Sequence, residues 1–150
     1  MATWNGVLLI ALLACGLAQV TKFLVSLVRH QQWNPKVLVQ SGGMPSSHAA
    51  LVAALAVAVG QTWGWNGPEF AIAVVVALIV MYDASGVRLA ASRHARLLNQ
   101  MVNTLRREHA EFQDQNPLYE PLGHTPVQVL AGGLLGVTVA LIVTPWLTRT

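Results

Sequence analysis

Four long apolar blocks constrain the fold of this chain more than any other feature of its sequence. They occupy residues 4–28, 46–65, 68–91 and 126–146. Each is close to the roughly 20 residues that a helix needs to cross a bilayer, and the apolar residues form continuous runs instead of periodic stripes. Of the 150 residues, 54% are hydrophobic and only 10% are charged, which argues against an ordinary soluble domain. We therefore predict an all-α integral membrane protein, a single domain over residues 1–150 built as a compact bundle of about four transmembrane helices.

Four spans place both chain termini on the same side of the membrane. The ends of the first and third spans then share the opposite side with the starts of the second and fourth. Eight of the nine Lys and Arg residues lie on that opposite side. Without the three candidate site residues Lys22, Arg29 and Arg88, five still lie there, against one, Arg149, on the side of the termini. The positive-inside rule makes this face cytoplasmic. The first block has no positively charged n-region, so we interpret it as a span and not as a signal peptide.

Polar residues suited to binding phosphate lie at this charged face. Lys22 and Arg29 are seven residues apart, about two helical turns, so they share one face of the first helix. Ionisable groups within a span are costly and usually functional, although a lysine near the end of a span can also extend its ammonium group to the interface. Both interpretations of Lys22 stay open from the sequence.

The segment Pro45-Ser46-Ser47-His48 begins the second apolar block. Ser46 or Ser47 can cap the helix by accepting a hydrogen bond from a backbone amide. The same helix start presents free amides and a partial positive charge to an anion, and a histidine there is well placed to donate a proton. The Gly42-Gly43 pair just upstream would allow the backbone to approach an anion closely.

His124 directly precedes the fourth apolar block. Thr125, Pro126 and Gln128 follow it with the spacing of a capping box, which explains these three residues without any catalytic role. His124 is not needed for capping. Because His124 and Gln128 are four residues apart, the amide could also hydrogen-bond and orient the imidazole.

Asp83 and Arg88 lie near the end of the third block. They could form a buried charge pair between helices. Alternatively, the planar guanidinium of Arg88 could clamp a phosphate while Asp83 holds a cation in place. The sequence does not decide between the two.

Together these residues resemble the type 2 phosphatidic acid phosphatase superfamily, which includes the vanadium haloperoxidases. Its signatures are a Lys with an Arg seven residues later, then Pro-Ser-Gly-His, then a Ser-Arg motif with a later nucleophilic His and an Asp four residues beyond it. Lys22 and Arg29 match the first signature, and Pro45-Ser46-Ser47-His48 matches the second with Ser47 in the Gly position. His124 matches the nucleophile and Gln128 occupies the Asp position.

The chain departs from the superfamily pattern in its third signature. Ser92-Arg93 reads like the Ser-Arg motif, but the residue six positions after Arg93 is Asn99 and not His. Arg88 is the better candidate for the arginine, and the segment between it and His124 then looks inserted. This spacing resembles a small divergent branch of the superfamily that consists of compact membrane proteins.

The resemblance implies a membrane phosphatase that uses neither metal nor cofactor. His124 would attack phosphorus to form a phosphohistidine, and His48 would protonate the leaving oxygen. The equatorial oxygens would be stabilised by side chains and helix-start amides, here those of Lys22, Arg29, Ser46, Ser47 and Arg88. The expected substrate is a membrane lipid phosphate or an isoprenoid diphosphate. No aromatic-basic platform for nucleic acid is present, and homo-oligomerisation is left open.

Two alternatives to a membrane phosphatase remain, a non-catalytic scaffold and a transporter. Because Gln128 replaces the usual acid, the chain could be a scaffold or assembly subunit that keeps the phosphatase fold without turnover. A transporter would need charged pathway residues on both sides of the membrane, whereas those of this chain cluster at one face. A haloperoxidase is disfavoured because nothing in a small membrane domain indicates halide chemistry.

Overall fold

The described part of the chain is built from α-helices joined by short irregular segments. The computed structural model describes residues 5–30, 43–108, 116–118, 120 and 122–147. Within these residues the helices are α1 (Gly6–His30), α2 (Ser47–Trp63), α3 (Pro68–Ser85), α4 (Val87–Glu108) and α5 (Pro126–Leu147). The predicted all-α architecture is confirmed.

Three helical stretches are long and apolar enough to cross a membrane. They are Gly6–Val28, Pro68–Arg106 and Pro126–Leu147, and α2 is a shorter apolar helix of 17 residues. Seventeen residues lie at the lower end of the length that spans a bilayer. These four apolar elements correspond to the four blocks of the sequence and confirm a membrane-embedded bundle.

Small residues fill the inside of the bundle, and large apolar residues cover its outside. In α1 the buried stripe contains Val7, Ile10, Ala14 and Ala18, whereas leucines on the remaining faces are exposed. The buried residues of α2 are mostly alanines. Because the surrounding lipid is as apolar as the protein interior, a large apolar side chain gains little free energy by being buried in the bundle. Close backbone packing between small residues holds such bundles together.

Among the described helices, α2 and α5 run in the same direction and approach each other closely. A side-chain carbon on Gly132 would overlap the carbonyl oxygen of Ser46, and one on Gly136 would overlap that of Ala50. The two glycines are four residues apart, and so are their partners on α2. This Gly-x-x-x-Gly contact sets the register between the starts of the two helices.

The third apolar block does not form one uninterrupted helix. The sequence places it over residues 68–91, but α3 ends at Ser85 and α4 starts at Val87. At the break, the amide of Gly86 donates to the carbonyl of Tyr82 at 2.8 Å. Arg88 therefore lies in the first turn of a separate helix. The break divides the predicted third block, and the residues on both sides of it belong to the Pro68–Arg106 stretch.

Candidate active site

Three helix ends meet at one end of the bundle and surround a small pocket. The Ser46 amide, before α2, donates to the Gln128 carbonyl in the first turn of α5 at 3.0 Å. The His124 amide, before α5, donates to the Ala84 carbonyl near the end of α3 at 3.0 Å. The pocket between these ends is lined by His48, Val80, Asp83, Ala84, Arg88, Leu122 and His124.

His124 is buried, with only 3% of its surface exposed. Its Nδ1 lies 3.1 Å from the carbonyl oxygen of Gly43. Because a carbonyl oxygen can only accept a hydrogen bond, this contact assigns the proton of the neutral ring to Nδ1. The Nε2 atom is buried and has no hydrogen-bond partner among the described residues. The ring therefore presents an unshared electron pair at Nε2, as a nucleophile requires.

Burial lowers the pKa of His124 below its usual value, because the charged imidazolium would be poorly solvated. The nearby Gln128 side chain and the Gly43 carbonyl oppose this effect, whereas His48 and Lys22 add to it. The ring is accordingly neutral near pH 7.

Gln128 forms the predicted capping box with Thr125. The Thr125 amide donates to Oε1 of Gln128 at 3.0 Å, and the Gln128 amide donates to Oγ1 of Thr125 at 3.4 Å. The hydrogen bond that the His124 ring makes in the structure runs from Nδ1 to the Gly43 carbonyl. Gln128 lies close enough to affect the His124 charge, and its proposed role in orienting the ring stays a prediction.

The α2 start carries the second predicted motif. The hydroxyl of Ser46 accepts the Ala49 amide at 3.3 Å, which confirms Ser46 as the N-cap. Its own amide is bonded to Gln128, so this donor is not available to an anion. Ser47 is buried at the first helical position, and its amide and that of His48 belong to the turn that lacks intrahelical acceptors. The His48 side chain is exposed at the pocket.

Lys22 points into the bundle and not towards the interface. It is 3% exposed and continues the buried stripe of α1. Its aliphatic stem packs against Gly43, where an added Cβ would lie 2.8 Å from Cδ of Lys22. Gly43 has a φ of 103°, a conformation that favours glycine. The Arg29 side chain lies outside the described part of the structure.

Asp83 and Arg88 form an ion pair at the rim of the pocket, with Nε of Arg88 2.5 Å from Oδ2 of Asp83. The two side chains are 38% and 51% exposed, respectively, so the pair is not the buried one that the sequence suggested. An exposed pair of this kind contributes only about 0–1 kcal/mol to stability. Its location at the pocket is therefore the more informative fact.

An apolar groove between α3 and α5 adjoins the pocket and shares Asp83 with it. Its other lining residues are Leu78, Ile79, Met81, Tyr82, Ser85, Val87, Pro126, Val129 and Leu130. Most of them are exposed on the outer surface of the bundle. The groove thus lies on the outward-facing surface of the bundle, next to the polar pocket.

The carbonyl of Gly43 was not predicted as the partner of His124. The only sequence signal was the Gly42-Gly43 pair, which indicated close backbone approach but not to what. No contact was predicted for Ser92, which was matched to the Ser-Arg motif, or for Asn99, which was noted as a departure from the pattern. In the structure, both side chains bind the segment that leads to His124.

Comparison with known proteins identifies the family. The model of the family described as "Divergent PAP2 family" matches residues 3–139. The chain belongs to this family. The uncharacterized membrane protein YuiD of Bacillus subtilis (strain 168) is 35% identical in an alignment of 147 positions, and the match covers 92% of this chain and 93% of YuiD. No solved structure matches the chain. The predicted relationship to a divergent branch of this phosphatase superfamily is confirmed.

Proposed function

We propose that the protein is a membrane phosphatase that hydrolyses a lipid phosphate or an isoprenoid diphosphate through a phosphohistidine intermediate. The observation that carries this proposal is the state of His124. Its Nδ1 is held by the Gly43 carbonyl, and its buried Nε2 is unpartnered among the described residues beside a pocket that contains His48 and Arg88. A neutral imidazole with a free Nε2 is the reactive form of a histidine nucleophile.

The reaction follows from these positions. Nε2 of His124 attacks phosphorus while the bond to the leaving oxygen breaks, and His48 acts as the general acid that transfers a proton to that oxygen. Neutral His48 then accepts a proton from water, whose oxygen attacks the phosphohistidine and releases phosphate from Nε2. Throughout, the hydrogen bond from Nδ1 to Gly43 stabilises the positive charge that the phosphorylated ring develops.

Cationic groups around the pocket would stabilise the phosphoryl oxygens. Lys22 is buried and acts electrostatically on His124, and the exposed Arg88 lines the pocket. The first-turn amides of Ser47 and His48 add hydrogen-bond donors. We assign the same role to Arg29 from its spacing to Lys22. Asp83 competes with phosphate for Arg88, so substrate binding requires the guanidinium to exchange or share its partner.

The groove between α3 and α5 supports a substrate with an apolar chain. It begins at Asp83, beside the pocket, and its lining is almost entirely apolar. An isoprenoid or acyl chain in this groove would keep its phosphate at the pocket without leaving the membrane environment. A soluble phosphate ester has no group to fill the groove and should be the poorer substrate.

The test is phosphate release by purified protein from a panel of lipid phosphates, prenyl diphosphates and glycerol phosphate. His124→Ala should reduce turnover to background, whereas the exposed α4 variant Arg93→Ala should retain most of it. Vanadate should inhibit and EDTA should not. Melting curves must show that both variants are folded. Absence of turnover by the wild type on the whole panel would favour the non-catalytic scaffold, and equal losses in both variants would refute the role of His124.

We further propose that the pocket faces the cytoplasm, as the distribution of Lys and Arg predicts. Arg93 is exposed on α4, close in sequence to the pocket residue Arg88. In a Cys15→Ala background, Arg93→Cys should react with a membrane-impermeant thiol reagent only after cells are opened. Labelling of intact cells would reverse the orientation.

A further inference from the structure

The segment that enters α5 is fastened to one face of α4. We name its described residues, Leu118, Glu120 and 122–124, the strap. Ser92, Arg96 and Asn99 lie on one face of α4, because their spacings of four, three and seven residues follow the helical repeat. All three hydrogen-bond to the strap.

Asn99 holds the far end of the strap with both ends of its amide. Its Oδ1 accepts the Leu118 amide at 2.8 Å, and its Nδ2 donates to the Leu118 carbonyl at 2.9 Å. The same Nδ2 lies 2.9 Å from Oε1 of Glu120. This arrangement needs a donor and an acceptor on one short side chain, which an asparagine provides and an aspartate does not.

Glu120 continues the attachment towards the pocket. Its backbone carbonyl accepts the hydroxyl of Ser92, and its carboxylate lies 3.4 Å from Nε of Arg96. The hydrogen bond from Asn99, followed by that from Arg96, lowers the pKa of Glu120, so the carboxylate is charged near neutral pH. A negative charge at residue 99 would therefore meet a like charge at Glu120.

The near end of the strap places the histidine. A Cβ on Gly123 would overlap the backbone amide of Leu89, and the His124 amide is bonded to Ala84 at 3.0 Å. The strap thus follows α4 from Asn99 back to Leu89, next to Arg88. In this way α4 sets the position of His124 relative to the arginine on its own first turn.

We propose that Asn99 is a positioning residue for His124, acting through the strap. The expected loss of rate rests on the proposed phosphatase function, whereas the expected movement of the strap and of His124 does not. Loosening the strap at Leu118 and Glu120 would let the His124 ring move relative to the pocket. A misplacement of about 1 Å in a reacting group can cost about 100-fold in rate.

The decisive variant is Asn99→Asp, which keeps the acceptor for Leu118, removes the donor and adds a repulsive charge. We expect kcat to fall about 10- to 100-fold with KM changed less than about twofold. Backbone amide exchange at 122–124 should accelerate in the same variant. Gln100→Glu is the matched control, because it makes the same amide-to-acid change at an exposed neighbouring position and should leave both measurements unchanged.

Adding Glu120→Gln to Asn99→Asp should recover several-fold in kcat, because the new amide can donate to the introduced carboxylate. Unchanged exchange at 122–124 and unchanged kcat in Asn99→Asp would overturn the proposal. So would a loss in which the whole of α4 exchanges faster and Glu120→Gln recovers nothing, since that would indicate a purely structural role. Accelerated exchange confined to the strap, in a protein whose wild type shows no turnover, would support the positioning and refute the phosphatase.

Discussion

Two adjacent glycines in α5 offer a sharp test of the helix packing that builds the site. A Cβ on Gly132 would overlap the Ser46 carbonyl oxygen and lie 3.0 Å from the Ser46 carbonyl carbon and nitrogen. Among the described residues, a Cβ on Gly133 would meet only Sδ of Met81 at 3.8 Å, an ordinary contact. Gly132→Ala should therefore destabilise the protein relative to Gly133→Ala.

The magnitude follows from comparing the two variants. Both replace glycine by alanine inside one helix, so the gain in helix propensity of up to about 1 kcal/mol is common to both. Their difference isolates the cost of forcing α5 away from α2, which for overpacking is about 1–3 kcal/mol. At about 2–4 °C per kcal/mol, Gly132→Ala should melt roughly 2–12 °C below Gly133→Ala.

Thermal unfolding of the two variants and the wild type, in the same detergent or lipid nanodisc, measures this difference. Because Ser46 also donates to Gln128 in the first turn of α5, Gly132→Ala should reduce phosphatase activity as well. Equal melting temperatures for the two variants would refute the close α2–α5 contact.

Two further predictions concern the candidate nucleophile and its neighbour. Because the pKa of His124 is lowered in the folded state, the unfolded chain binds more protons just below the ordinary histidine pKa of about 6.5, so this residue should reduce stability as the pH falls through that value. Melting curves between pH 8 and pH 5 should show a smaller loss for His124→Gln, and parallel losses would contradict the assignment. Gln128→Glu keeps the acceptor for the Thr125 amide, so the fold should survive, and its charge should stabilise the imidazolium and raise the initial rate. A stably folded variant with an unchanged or lower rate would count against Gln128 as a partner of His124.

The motifs at the helix starts could be predicted because they depend on local geometry. Ser46 caps α2, and Thr125 and Gln128 form the box at the start of α5, as their spacing indicated. Neighbouring side chains and amides within one turn satisfy these contacts, so a few residues of sequence suffice. The charge pair of Asp83 and Arg88 was also foreseen as one alternative, but its exposure depends on the break at Gly86.

The carbonyl that binds His124 and the side chain that binds the strap could not be predicted, because each is distant in sequence from the group it binds. Gly43 is 81 residues away along the chain, and Asn99 lies 19 residues from the strap residue Leu118 that it binds. Glycine and asparagine are common in connecting segments. Nothing in the local sequence shows that the carbonyl of Gly43 binds an imidazole or that the side chain of Asn99 binds the strap.

The sequence by itself determined the membrane bundle. In hydrocarbon the backbone amides and carbonyls of a long apolar segment must bond to one another, and a helix satisfies all of them within the segment. It also determined which polar residues would meet, since alternating spans bring Lys22, His48 and His124 to one face. Only the tertiary structure decided the chemical state of His124. The ring tautomer, and with it the unprotonated nitrogen, depends on which carbonyl lies within about 3 Å, and the packing of Gly43 on Lys22 places that carbonyl there.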